Sequence, residues 1–310
     1  MPFDRDLILK LYESAGGSYP FQITLHSLIS VIIINRIIKI WQINSPSLLQ
    51  ILHLIPVIVP PLSLPLYYLI NPSRGSPEFK LMALIDIERL LAIEFMGLSI
   101  GLLLLLLMLF STIIFIGQET IPVIKNIVEL KKGEQKRIVR TFEIEFYGHS
   151  HTVNVIEDNE YVIFASTGKR PAIFISTGLF EDLSHEELDA AIAHEAAHLI
   201  RGKRPFLVIV YIFRILGFFN PVTLIEFRKS VQEEEKICDR MAIRETNNAG
   251  ALLQVLNRFI TDNRGLIDYS HSNLIKERMA ILNNAVEERD KTFLIAVGIS
   301  VTVVLNYFIV

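Results

Sequence analysis

The chain has 310 residues, 51% of them hydrophobic, and a positive mean hydropathy. So apolar a composition is unusual for a soluble protein of this size and points first to membrane segments. A formal net charge of −3 offers nothing to a polyanion, which argues against nucleic acid as a partner. The lone cysteine, Cys238, excludes an internal disulfide and suits a reducing compartment.

Asp4, Arg5, Asp6, Lys10 and Glu13 crowd the start, with no basic leader or small-residue cleavage site, so a cleavable signal peptide is not expected. Four stretches then approach the ~20 apolar residues that a bilayer requires: Phe21 to Trp41, Leu48 to Ile70, Phe95 to Gly117 and Phe293 to Val310. The second contains Pro56, Pro60, Pro61 and Pro65. It is expected to be kinked or partly unwound, with neighbours satisfying the freed carbonyls. A fifth run, Pro205 to Phe219, is shorter and carries Arg214. It reads as a buried or shallow membrane-contacting helix stopped by Asn220-Pro221, with Arg214 snorkelling to the surface.

Arg36 and Lys39 close the first span, and Lys125, Lys131, Lys132, Lys136, Arg137 and Arg140 follow the third. The excess of cations on those sides puts the N-terminus outside and the 118–292 region in the cytoplasm. The expected layout is a membrane domain over 1–117, a polar domain over 118–292 and a last span over 293–310. The polar domain opens with helix around 119–141. Strands follow at Val153 to Glu157, Tyr161 to Ser166 and Ala172 to Thr177, then helices near 184–201, 205–219, 222–245, 249–262 and 272–288.

The chemistry concentrates in His194-Glu195-Ala196-Ala197-His198. Ser184 with Glu187 three residues on announces a helix start, and Gly202 is placed to end it. Residues four apart share a helix face, so His194 and His198 can aim two imidazole nitrogens at one zinc ion. Glu195, beside them, can reach a water there as general base. Zinc needs a further protein ligand. Gln232-Glu233-Glu234-Glu235-Lys236-Ile237-Cys238-Asp239 offers one, and spacing alone leaves the choice among its carboxylates open. Glu235 and Asp239 share a face, so one can bind metal while the other accepts the free ring N–H of a ligand histidine. Glu233 and Glu234 read as solvated.

Phe219-Asn220-Pro221 followed by Glu235-Lys236-Ile237-Cys238-Asp239 resembles the bacterial β-lactam-sensor/antirepressor membrane peptidases. So do the segments 167–176 and 183–188. The resemblance implies a multi-pass α-helical membrane protein with an α+β metallopeptidase domain of gluzincin type. It further implies one zinc per chain held by His194, His198 and Glu235, Glu195 as catalytic base, and Asp239 behind a ligand. The implied partners are the lipid bilayer, a protein or peptide substrate and a sensor or repressor protein, and the implied location is a bacterial inner membrane. The family's extracellular penicillin-binding domain, which follows the last span, has no match in the sequence up to Val310, so β-lactam sensing is not part of the expectation. The prenyl-protein and heat-shock membrane peptidases share the zinc helix and are the alternative, with His271 and Arg278 faintly similar to their later His…Arg segment. A third reading is a signal-transducing membrane protein with little turnover.

Three other residues and one segment have plainer readings. His26 and His53 are expected to be satisfied by packing or backbone contacts, Cys238 to be a small buried apolar residue, and Ala172 to Thr177 to form an edge strand on which substrate pairs.

Overall fold

A computed structural model of the chain describes residues 2–14, 17–121, 137–166, 170–202, 204–261 and 291–310. They fall into two units: one within 1–122, 205–231 and 287–310, the other within 123–204 and 232–286.

In the first unit, helix α1 (Pro2–Glu13) precedes α2 (Ser18–Ile40) and α3 (Pro46–Ile70). Helix α3 stays helical through all four internal prolines, so partial unwinding is not observed. Each proline still removes a donor from the carbonyl four residues earlier. Pro65 frees the carbonyl of Pro61, and the Tyr19 hydroxyl of α2 donates to that oxygen at 3.3 Å. A neighbouring helix thus repairs the gap, as an apolar medium requires.

Two short helices, α4 (Pro77–Lys80) and α5 (Ile87–Ala92), lead to a hairpin of β1 (Glu94–Phe95) and β2 (Leu98–Ser99). The expected start of the third span at Phe95 is therefore displaced. Helix α6 (Ile100–Phe115) begins after Ser99, whose hydroxyl accepts from the Leu102 N–H and caps it, and runs on as a wider turn over Ile116–Thr120.

Helices α2, α3 and the stretch Ile100–Gln118 are long and apolar enough to cross a bilayer. The fourth expected span is shorter. Helix α12 (Lys291–Tyr307) ends before the last three residues, and Ile309 forms a parallel bridge with Ile85 instead. Gly298 on α12 lets three helices meet, since a Cβ there would stand 3.1 Å from Ile55 and 3.2 Å from Ile34.

The fifth apolar run forms α9 (Arg204–Leu216). Arg214 does not snorkel: it is fully buried, with its guanidinium 4.5 Å from the centroid of the Phe115 ring. Asn220 then accepts from the Val222 N–H and opens α10 (Pro221–Thr246), with Pro221 at the first helical position, where its missing N–H costs nothing.

The second unit holds a four-stranded sheet in the order β3-β4-β6-β5. Strands β3 (Ile138–Phe146) and β4 (His149–Ile156) form an antiparallel hairpin, β4 runs parallel to β6 (Ala172–Ser176), and β5 (Ile163–Ser166) pairs antiparallel with β6. Two expectations fail here. Residues 138–141 are strand rather than helix. Ala172–Ser176 is an interior strand, fully buried and paired on both sides, so it offers no edge to a substrate. Residues 122–136, His271 and the expected helix over 272–288 lie outside the described residues.

Helix α7 (Thr177–Asp182) leads to α8 (His185–Arg201), and α11 (Ala249–Thr261) follows α10. Ala190, Ala191, Ala193 and Ala196 line the buried side of α8 beside Ile192, and they share one core with Val153, Val155, Ile173 and Ile175 of the sheet. Small side chains allow close helix–sheet approach, which fixes the axis of α8.

Candidate metal centre

Helix α8 starts with the expected capping box. The Glu187 N–H donates to the Ser184 hydroxyl, and the Ser184 N–H donates to the Glu187 carboxylate at 2.8 Å. Arg258 of α11 then clamps that carboxylate, its Nε donating to Oε1 at 3.0 Å and Nη2 to Oε2 at 3.1 Å. The start of the helix is thereby anchored nearly two turns before His194.

His194 and His198 bring their Nε2 atoms to 3.2 Å of each other. Glu235, from α10, closes the triangle, with Oε2 3.6 Å from His194 Nε2 and Oε1 3.5 Å from His198 Nε2. Ligands on a zinc tetrahedron, at metal–nitrogen distances near 2.0–2.1 Å, stand about 3.3 Å apart. The three donors already lie close to that spacing, and two imidazoles with one carboxylate are a known zinc ligand set. The chemistry and the geometry both fit the ion. Exposure is graded across the cluster: the side chain of Asp239 is wholly buried, His194 is 11% exposed, His198 28% and Glu235 33%. The site therefore has a closed back and an open front.

The outward-facing ring nitrogens are also supported. Asp239 Oδ1 lies 3.0 Å from His194 Nδ1, within ion-pair range although the ring N–H is not well aligned for a hydrogen bond. Burial alone would push the His194 pKa down. The neighbouring Asp239 and Glu235 carboxylates outweigh it and hold the value up, at about 10. The closed back of the site thus favours positive charge at His194, whether a proton or a metal ion.

Cys238 occupies the matching position for His198, with Sγ 3.3 Å from Nδ1. It is fully buried as expected, but it is more than a space-filling apolar residue, because adjacent residues on α10 back the two histidines in turn. Burial pushes its thiol pKa up, so the group stays protonated and is a weak acceptor.

Glu195 is half-buried on the same helix, between the two histidines in sequence. Glu234 and Glu233 are not solvated. Arg201 holds Glu234 through two parallel bonds of 2.6 and 2.7 Å, and Glu233, 6% exposed, accepts from Lys236 at 2.7 Å. His198, Glu234 and Cys238 form a second group with metal-ligand spacing, but the two bonds from Arg201 already engage the Glu234 carboxylate and make it the poorer donor set.

Two further contacts have no obvious signal in the motif. The Tyr147 hydroxyl donates to the Ala193 carbonyl at 3.2 Å, and its backbone N–H donates to Glu245 at 2.8 Å, joining the β3–β4 turn to both helices. His53 is buried against Glu226 of α10 at 2.7 Å, a charged partner rather than the expected packing or backbone contact. His26 meets the backbone expectation, with Nε2 3.2 Å from the Ile309 carbonyl. His149 is exposed. His151 is buried with Nε2 3.3 Å from the Phe146 carbonyl, and no metal-ligand group among the described residues includes either.

A His-Glu-x-x-His helix facing a carboxylate from a second helix, in a chain with bilayer-length helices, defines a membrane metallopeptidase. The family model described as BlaR1 peptidase M56 matches residues 92–280, more than half of the chain. The chain belongs to that family, whose members are in general zinc metallopeptidases. No curated protein matches the chain.

Proposed function

We propose that the protein is a zinc-dependent endopeptidase that cleaves a protein substrate as part of regulated proteolysis or signalling. The observation that carries this reading is the triangle of His194, His198 and Glu235 donors at 3.2 to 3.6 Å, with Asp239 behind His194. His194, His198 and Glu235 would hold one zinc ion per chain. When bound, zinc supplies Lewis acidity that acidifies water and polarises a scissile carbonyl.

The remaining steps belong to the chain's own side chains. Glu195 takes the proton of the attacking water and later delivers it to the leaving amine nitrogen. Asp239 holds His194 in the tautomer that presents Nε2. Arg201 fixes Glu234 away from the metal position, leaving Glu235 as the carboxylate in reach.

The basic residues after the third span support a peptidase domain that faces the cytoplasm of a bacterial inner membrane. The division into a membrane domain over 1–117, a peptidase domain over 118–292 and a closing span over 293–310 is part of the same proposal, as is a sensor or repressor partner.

The test is zinc content and casein or self-cleavage by detergent-purified protein, beside Glu195→Gln. Stoichiometric zinc in both, with cleavage by the wild type alone, is the expected result. Wild-type protein without zinc would sink the proposal.

A further inference from the structure

Ile93 to Ile100 form a miniature hairpin with an unusual tip. Glu94 pairs with Ser99 and Phe95 with Leu98, and the Ile100 N–H donates to the Ile93 carbonyl at 2.8 Å. The ladder therefore closes on the first residue of the membrane-crossing helix. The two tip residues, Met96 and Gly97, both have positive φ (52° and 83°). A two-residue turn of that kind ordinarily takes Asn-Gly or Asp-Gly, because a polar side chain tolerates the left-handed region and faces water. Here the strained position carries methionine, and Met96 is 90% exposed.

The rest of the ribbon repeats the pattern. Phe95 and Leu98 are directly paired, so their side chains share one face, and they are 60% and 40% exposed. Glu94 and Ser99 take the opposite face, with Ser99 fully buried at the helix cap. A ribbon with two residues per strand is not stable in water by itself. Exposing its apolar face and tip to water would add a further cost.

The position of the ribbon says what meets that face. Met96 lies four residues before Ile100, so it can stand no more than about 14 Å from the start of the span. The hairpin is therefore confined to the boundary of the span that begins at Ile100. Arg89, just upstream, is 83% exposed and pairs with Asp86 at 3.2 Å, so that segment is polar where the hairpin tip is apolar.

We propose that the β1–β2 hairpin is a non-spanning membrane anchor, whose Phe95, Met96 and Leu98 side chains enter the acyl region of the bilayer beside α6. It would set the depth at which that helix begins, as interfacial apolar elements do.

The test is spin labelling of the full-length protein in phosphatidylcholine/phosphatidylglycerol nanodiscs. Met96→Cys carries the label, and unlabelled Cys238 is protected by its burial. No heavy atom lies within 4 Å of a Cβ built at the neighbouring Gly97, so the tip has room for the label. Leu98→Cys repeats the measurement from the same face, and Arg89→Cys is the polar reference.

At positions 96 and 98, relaxation by oxygen should exceed relaxation by a water-soluble nickel complex, at a depth about 5–10 Å below the phosphates. At position 89 the order should reverse. Nickel dominance at 96 and 98 would overturn the proposal. Exclusion of both reagents there would overturn it too, because it would mean that protein covers the ribbon.

Discussion

The two units both bury polar side chains, but of different kinds. In the peptidase unit the buried groups are mostly ionic and each meets an opposite charge, Glu187 with Arg258, Glu233 with Lys236 and Asp239 with His194, and half-buried Glu234 meets Arg201. In the membrane unit they are mostly neutral. Asn220 donates to Ser27 at 3.0 Å, Asn306 to Ser30 at 3.1 Å and Ser30 to the His26 carbonyl at 2.6 Å. A charge in hydrocarbon is expensive, so hydroxyls and amides join helices there. A domain in water can hold carboxylates in place if each has its cation, and such geometry suits a metal site. Arg74, Arg214 and Glu226 are the charged exceptions buried in the membrane unit.

Arg74 gives the largest expected effect and tests whether such exceptions are essential. It is fully buried, lies 5.0 Å from the Tyr67 ring centroid, and donates to the carbonyls of Asn306, Tyr307 and Ile309. It thus satisfies the orphan acceptors at the end of α12 and opposes the negative end of its dipole. Arg74→Leu should cost about 3 kcal/mol of stability in detergent unfolding, in keeping with hydrogen bonds to a charged group. Arg74→Lys should recover only part, because the guanidinium fork is lost. A neutral outcome for Arg74→Leu would remove Arg74 from the exceptions that matter.

The next effect belongs to the metal site. Asp239→Ala should weaken zinc binding about 10- to 100-fold in chelator competition. Cys238→Ala should lose less, under about tenfold, because a thiol is a weaker acceptor than a carboxylate. Equal losses would mean that the two histidines are supported alike, against the different chemistry behind them.

A third effect tests the charged pairs of the peptidase unit away from the metal. Glu187→Ala removes half of a capping box and the partner of Arg258, and should cost about 1–2 kcal/mol. Burial pushes the Glu187 carboxyl up, but the hydrogen bonds from Arg258 and Ser184 outweigh it and hold it below its usual value. A depressed carboxylate stabilises the fold above its unfolded pKa of about 4.3. The gap between wild type and variant should therefore be constant near neutral pH and close as pH falls through the folded value. A gap that does not narrow on acidification would point to packing instead.

The ionic chemistry was also the readable part. His194, Glu195 and His198 declare themselves by helical spacing, and Ser184 with Glu187 by the capping box. The acidic run did not sort itself, because choosing among Glu233, Glu234 and Glu235 requires knowing that Lys236 and Arg201 occupy the first two. The strand over 138–146 had a signal in the alternation Phe142-Glu143-Ile144-Glu145-Phe146, although helix was expected as far as residue 141. The interior position of Ala172–Ser176 had none, because pairing order is a long-range property. The same holds for the interhelical bonds of the membrane unit, since a serine in an apolar run looks alike whether or not it meets a partner.

Those bonds give the smallest effect and the sharpest contrast. Ser27→Ala deletes the acceptor of the Asn220 amide between α2 and the start of α10. In water-excluded protein an orphaned amide costs about 1–3 kcal/mol. Between membrane helices the measured worth is lower, about 0.6 kcal/mol, because the unfolded helices also find partners within the bilayer. Ser27→Ala should therefore cost about a third of what Glu187→Ala does, and double substitution with Asn220→Ala should add little more, since the second change removes a group already unpaired. If Ser27→Ala instead matched Glu187→Ala, the neutral contacts would be holding the membrane helices as firmly as the ion pairs hold the metal site. Polarity would then no longer separate the two units in energy, only in kind.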